Sequence, residues 1–293
     1  MAARDQHGPG APWPEEGRED ELAATNRSTA EGFRSVGQSL RKIEGLDKAT
    51  GAAVYADDIV LPGMLHAKIL RSPHSHARIV SIDASKALAL DGVVAVITGA
   101  DLPTKYGVIP WTQDEHALAL EKVRFIGDEV AAVAAVDEDT ANAALKLIVV
   151  EYEVLGAWLD PEESRANELT DERPAIHEGH KHGNISKRVE LEFGDLEAAW
   201  NEAEVVLEQD FRFHSSTHAA IEPHCAVARE SADGLLTLWS STQITHYVQR
   251  EVSRVLGIPQ SRLRVIQPNL GGAFGGKSDP FALEFVVAKL AQV

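Results

Sequence analysis

Short apolar runs recur from Val36 onward, each bounded by glycine, proline or aspartate. Residues 53–56, 65–70, 93–97 and 130–134 are four such runs, and their length and β-branched or alanine content predict strands. Asp137 stands where an N-cap belongs, so residues 137–147 predict a helix, and the β-branched stretch 148–154 predicts a strand after it. Together these make one α/β unit spanning residues 36–160. A polar stretch, 161–185, contains Pro161, Pro174, His177, His180 and His182 and reads as a linker.

A second unit, 186–293, opens with the strict alternation Val189, Glu190, Leu191, Glu192, Phe193, the pattern of a half-buried strand. Asp195 caps a short helix through Glu202, and 205–213 and 235–239 predict further strands. Helical spacing of Val248, Val252, Val255 and Leu256 predicts a helix over 245–256, ended by Gly257 and Pro259. Leu263, Val265 and Ile266 read as a strand. Phe281, Leu283, Phe285, Val286, Val287 and Leu290 read as a helix that reaches residue 293 without a glycine cap or polar tail. That pattern predicts a second unit that is cut short.

Residues 1–35 are rich in Gly, Pro, Glu, Asp and Ala and lack apolar periodicity, which predicts a disordered acidic tail. The 293 residues are 44% hydrophobic and 25% charged, an ordinary globular composition with room for two domains. A net charge of −17 without any Lys/Arg run argues against a nucleic-acid or anionic-membrane partner. The single cysteine, Cys225, excludes an internal disulfide and an all-cysteine iron–sulfur cluster within these residues. No apolar stretch approaches a membrane span and no export signal is evident, so the expected location is cytoplasmic.

The chemistry concentrates in Gly271-Gly272-Ala273-Phe274-Gly275-Gly276-Lys277, between the strand ending at Ile266 and the last helix. Small residues let backbone approach a ligand closely, and N–H groups near a helix start favour an anion. Residues 271–278 satisfy the phosphate-loop pattern G-x-x-x-x-G-K-[ST], which makes a P-loop nucleotide-binding protein one reading. Against it, little sequence follows Ser278, and Asp279 would repel phosphates.

The other reading takes the loop with its companions: Glu222-Pro223-His224-Cys225-Ala226-Val227-Ala228, then Ser240-Ser241-Thr242-Gln243. Upstream stand Gly45 to Gly51, Leu70-Arg71-Ser72-Pro73-His74-Ser75-His76-Ala77 and Gly127-Asp128-Glu129-Val130. This series, over residues 36–293, resembles the molybdopterin-binding large subunit of the xanthine dehydrogenase/aldehyde oxidase family. Within it, the pattern is most similar to the 4-hydroxybenzoyl-CoA reductase α-subunit group. The resemblance implies a mixed α/β fold: an α/β hammerhead domain, then the incomplete start of a molybdenum-cofactor-binding domain. It further implies Mo-molybdopterin, in the cytosine dinucleotide form, with [2Fe–2S] clusters and FAD on partner subunits.

By the same resemblance, Gly271, Gly272, Ala273, Phe274 and Gly275 lie against the pterin. Phe274 and Gln243 stand beside the molybdenum without ligating it, Gln243 reaching toward an oxo ligand. The family's general-base glutamate belongs to a region beyond these residues, so no catalytic residue is expected here and the chain alone is expected to be inactive. Where purine-oxidising members carry a substrate-contacting glutamate, this sequence has Ser278, which argues against a purine. The remainder of a split large subunit becomes an expected partner, a non-catalytic assembly fragment is the remaining alternative, and the substrate is a small aromatic or heterocyclic molecule or an aromatic acyl-CoA.

Blander readings stand beside these. Glu222 and Ser278 are candidate substrate contacts, but Glu222 could equally pair with a nearby donor. Lys277 fits a cofactor phosphate or a solvated helix start. Phe274 could anchor a turn, Gln243 could open a helix, and Cys225 reads as a small buried filler. His177, His180 and His182 lack a fourth partner for zinc, and His214, His218 and His224 share no single face of a helix or strand.

Overall fold

A computed structural model describes residues 36–107, 113–178 and 182–293. The expected acidic tail, 1–35, and His180 lie outside the described residues. The chain divides into two contact units, 1–53 and 54–293. In the first, helix α1 (Gly45–Thr50) ends on Gly51, whose φ of 77° is the left-handed cap.

Among the described residues, the larger unit holds three small sheets. Strands β1 (His66–Arg71), β2 (Ala77–Asp83), β3 (Val93–Thr98), β4 (Lys122–Val123), β5 (Glu129–Ala135) and β6 (Val149–Val154) form two of them, ordered β1-β5-β3 and β4-β2-β6, all antiparallel. Strand β5 is an alanine/valine run buried along most of its length, as a central strand covered on both faces must be. Helix α2 (Ser85–Leu88) precedes β3. Helix α3 (Glu138–Leu145) begins where Asp137 accepts the Thr140 N–H at 2.7 Å, and its Ala144 packs in one cluster with Val133 and Ile148. The turns carrying Ser72 and Asp128 lock together: Ser72 N–H donates to Asp128 O at 2.8 Å and Gly127 N–H to Ser72 O at 2.9 Å. Helix α4 (Pro161–Ala166), with Asp160 as its cap, interrupts the stretch read as a linker.

The third sheet is β7 (Ala226–Glu230), β8 (Leu236–Ser240) and β9 (Leu263–Ile266), with β7–β8 antiparallel and β8–β9 parallel. Helix α5 (Leu196–Glu202) starts on Asp195 as expected. The β8–β9 crossover is helix α6 (Thr245–Leu256), whose buried stripe of Val248, Val252 and Val255 and left-handed cap Gly257 follow the sequence reading. Helix α7 (Ala282–Leu290) lies across this sheet. Its Phe285 packs against Tyr106 with ring centroids 4.4 Å apart, so Ile97, Leu118, Leu238, Val252 and Phe285 belong to one continuous core.

Three expected strands are not there. Around residues 53–56 the chain makes a 3-10 turn, Ala56–Asp58, closed by Tyr55 N–H donating to Asp58 Oδ2 at 2.8 Å. Residues 189–193 and 205–213 form no strand despite their alternation. Period two specifies which face a strand would bury, but pairing needs a neighbour, and these segments meet none among the described residues. Strands β2, β4 and β7 were not expected, because none is an uninterrupted apolar run.

Candidate cofactor surface

The chain leaves β9 and turns through residues 270–280 before α7 begins, and this turn is built around four glycines. Gly272 and Gly275 have φ of 104° and 91°, a region that costs other residues strain. A Cβ on Gly271 would lie 2.5 Å from Glu222 Cβ, so glycine is needed there for close approach. Phe274 is the exception: a bulky residue at φ 54°, and 75% exposed. Held left-handed backbone with an exposed aromatic is a local conflict of the kind that gathers at ligand sites.

Behind the turn is a polar lock. Lys277 Nζ donates to Glu222 Oε2 at 2.7 Å, and Gly271 N–H donates to the same oxygen at 2.8 Å. The Lys277 side chain is 2% exposed and that of Glu222 11%. Glu222 Oε1 is buried without a hydrogen-bond partner among the described residues. Of the two readings open for Glu222 in the sequence, the geometry shows the pairing with a nearby donor.

Gln243 joins the same cluster. Its N–H donates to Lys277 O at 2.9 Å, and Ser278 Oγ donates to its Oε1 at 3.0 Å. The side chain is exposed. With Oε1 taken, the Nε2 donor makes no hydrogen bond to a described residue. The N–H groups of Gly272, Ala273, Phe274 and Gly275 likewise make none, whereas those of Gly276 and Ser278 are spent inside the turn on Ala273 O and Gly275 O. Gln243, Gly271 and Ser278 are thus brought together, with Gly272 against the Phe274 ring.

The P-loop reading meets two obstacles here. Its lysine would have to reach phosphate, but Lys277 is buried against Glu222. Its helix would have to start at the lysine, but α7 starts at Ala282, where Glu284 Oε2 already accepts the Phe281 N–H at 2.9 Å.

The composition of the surround could not be read from motif spacing. His224 Nε2 is 2.9 Å from Gly276 O and its ring meets Phe281 edge-on at 4.6 Å, while His218 sits where a Cβ on Gly276 would clash, 2.8 Å away. Glu284, buried beneath the turn, takes the Ser240 hydroxyl at 2.8 Å, and burial pushes its carboxyl up to about 7. Burial first, then Asp57 beside it, pushes the Cys225 thiol up to about 11, so it is no thiolate at neutral pH. No group of three His, Cys, Asp or Glu side chains among the described residues could hold a metal directly.

Gln243 and Phe274 are both exposed. Two hollows of about 290 and 240 Å³ lie elsewhere, lined by Trp158, Pro161, Ser164 and Asn184 and by Ser75, His76, Arg124 and Phe125, respectively. Neither is lined by Gln243 or the glycine turn.

Residues 50–156 match the aldehyde oxidase and xanthine dehydrogenase a/b hammerhead domain, and residues 176–293 match the molybdopterin cofactor-binding domain, the segment that contains the whole lock. The chain belongs to the aldehyde oxidase and xanthine dehydrogenase family. It is 40% identical over 249 residues to the nicotinate dehydrogenase large molybdopterin subunit of Eubacterium barkeri, covering 84% of this chain and 56% of that subunit. With the carbon monoxide dehydrogenase large chain of Afipia carboxidovorans, identity is 36% over 283 residues, covering 92% of this chain but 35% of the relative. Quinoline 2-oxidoreductase from Pseudomonas putida 86 superposes with a TM-score of 0.75 at 32% identity, over 87% of this chain and 33% of that structure. The chain therefore spans about half the length of one of these relatives and about a third of the other two, and the E. barkeri subunit is a much shorter polypeptide than the A. carboxidovorans one.

The residues present fit a large anionic cofactor. The turn offers unpaired N–H groups, close backbone approach and an exposed ring, and a fixed neutral amide stands next to it. No helix of the described residues is long and apolar enough to cross a membrane.

Proposed function

We propose that these residues form part of the cofactor surface of a molybdenum oxidoreductase, with Gln243 and the turn 271–275 against a bound molybdopterin. The observation that carries this is the joint fixing of Gln243 and the glycine turn by Ser278 and Lys277, in a segment matched to the molybdopterin cofactor-binding domain. The bound group would supply two-electron oxidation or reduction at a substrate carbon. The chain's residues would do the rest. The free N–H groups of 272–275 would bind the cofactor, Phe274 would shield it from water, and Gln243 Nε2 would donate a hydrogen bond to it without competing as a ligand. Ser278 acts one step back, by fixing which end of the Gln243 amide is free.

The cofactor would be the cytosine dinucleotide form, and electrons would pass to [2Fe–2S] clusters and FAD on partner subunits in the cytoplasm. The rest of the molybdopterin domain would close this surface and bring the general base. As substrate we place an aromatic N-heterocycle ahead of an aromatic acyl-CoA, since the names of two relatives, nicotinate dehydrogenase and quinoline 2-oxidoreductase, refer to such rings. The test is a metal, flavin and pterin analysis of the complex isolated through a tag on this chain, followed by dye reduction with nicotinate, quinoline and 4-hydroxybenzoyl-CoA. Molybdenum with substrate-dependent dye reduction supports the reading. A complex free of molybdenum and pterin refutes it.

A further inference from the structure

His76, in the 70–77 motif, is buried to 2% exposure and lines the hollow of about 240 Å³. Its Nδ1 lies 2.9 Å from Gly156 O, and a carbonyl only accepts, so Nδ1 carries the proton. Burial above all, with Lys122, Arg124 and Arg78 adding to it, holds the imidazole below its ordinary value. The ring is therefore neutral at neutral pH and Nε2 is a bare acceptor. That nitrogen is buried without a hydrogen-bond partner among the described residues. A buried acceptor left unmet is costly, so a donor belongs beside it. The walls of the hollow are held in place. Trp158 Nε1–H donates to Pro174 O at 2.8 Å, and the Arg173 guanidinium lies 3.7 Å from the centroid of its ring. Arg124 Nε donates to Ile176 O at 3.0 Å and Nη1 to Lys122 O at 2.9 Å, while Nη2 makes no hydrogen bond to a described residue. Phe125, Ile126 and Leu159 add exposed apolar surface to the lining.

We propose that this hollow binds a small bicyclic aromatic molecule that presents a ring N–H to His76 Nε2 and an acceptor oxygen, carboxylate or carbonyl, to Arg124. Three observations select that ligand. The first is size: a cavity of about 150 Å³ accepts benzene, so one of about 240 Å³ suits two fused rings. The second is the lining, which is apolar and aromatic with a few fixed polar groups, the usual make-up of a small-molecule site; Trp158 is a rigid face for a flat ring. The third is polarity. A lone pair at Nε2 repels a ring nitrogen that carries a lone pair of its own and accepts an N–H. Arg124, with Lys122 and Arg78 also acting on His76, makes a local positive field in a chain of net charge −17, which favours an acceptor oxygen over a cation. A single water would satisfy Nε2 but fill only about 30 Å³, leaving the apolar walls wet. Neither Gln243 nor the glycine turn lines this hollow, so binding here is independent of molybdenum content.

The experiment titrates the complex, isolated from its host through a tag on this chain, with indole-2-carboxylate and with its 1-methyl analogue, and follows heat and hydrogen exchange. Indole-2-carboxylate should bind saturably with a Kd below about 1 mM. The methylated probe, which cannot donate to His76, should bind about tenfold more weakly or worse. Exchange of residues 124–127 and 156–159 should slow when the first probe is bound, which places it in this hollow and not at the cofactor. His76→Asn keeps an N–H for Gly156 O but removes the acceptor, so the two probes should then bind within about twofold of each other. Arg124→Gln should weaken indole-2-carboxylate by about tenfold while leaving indole itself within about twofold. Should either buried variant fail to fold, the comparison of the two probes on the unaltered complex decides alone. Equal affinities for the two probes in the parent, unchanged exchange at 124–127 and 156–159, or no saturation below about 1 mM would overturn the proposal, the last meaning that the hollow holds only water or another part of the protein.

Discussion

Replacing Glu222 should unsettle the cofactor turn more than any other single change, and the lock gives the size of the effect. Lys277 is buried to 2% exposure with its ammonium 2.7 Å from Glu222 Oε2, so Glu222→Gln leaves a buried cation facing a neutral amide. Losing one partner of a buried ion pair costs about 3–5 kcal/mol. Lys277→Met is milder, because Glu222 keeps the Gly271 N–H and is partly reached by water; about 1–2 kcal/mol is expected for the lost charge-assisted bond. The double variant joins two neutral side chains, and the amide can still accept from Gly271, so its stability should return to within about 1 kcal/mol of the parent. The coupling energy in the cycle should then be about 3 kcal/mol or more. Urea unfolding of the 293-residue chain, followed by tryptophan fluorescence, measures it. Additivity within about 0.5 kcal/mol would show that the two residues act independently and that the lock does not hold the turn.

Other consequences follow from the same geometry. Glu284 is a carboxyl raised to about 7 by burial, so the native state keeps its proton when the unfolded chain has lost it. Its contribution is therefore greatest below the ordinary value of 4.5 and declines as pH rises to about 7, by about 1.4 kcal/mol per unit in that window. Glu284→Gln should remove that slope from urea midpoints measured between pH 5 and 8, and identical slopes in both proteins would contradict it. Cys225, with its thiol raised to about 11, should react with iodoacetamide at pH 8 about a hundredfold more slowly in the native chain than in urea; equal rates would place the thiol in open solvent. Gly276→Ala drives a Cβ to 2.8 Å from the His218 ring, so His218→Ala should restore much of the stability that the first change costs. Failure of that rescue would show that the clash is not the cause.

Much of the fold was legible because its signals were local. Asp137 and Asp195 cap helices as read, Gly257 ends one, and the buried stripe of α6 falls on the valines that its period marks; the helix that Asp160 caps lay in a stretch read as a linker. Strands β1, β3, β5 and β6 announced themselves as apolar or β-branched runs. The same logic failed at 189–193 and 205–213, since a strand is a relation between two segments and alternation records only one of them. At the site, the glycines and Phe274 could be singled out from spacing, and family resemblance added Gln243. What spacing could not convey was the set of hydrogen bonds across the fold. Glu222 meets Lys277 and Ser278 meets Gln243 only because the segment before β7 and the end of β8 both lie against the turn before α7. The P-loop pattern fails for the same reason: a motif fixes residue types, and burial decides whether the lysine is free.

The measurement that bears most directly on the cofactor surface is the molybdenum and pterin content per chain of the isolated complex, compared with that of Gly272→Val. Valine at φ 104° is strained and its side chain would press on the Phe274 ring, 3.2 Å from the first added carbon, while the core and the Glu222–Lys277 pair are untouched. Stoichiometric metal and pterin in the parent, and loss of both in a variant that still assembles with its partners, is the expected result. Equal loading of the two complexes would mean that the glycine turn does not hold the cofactor.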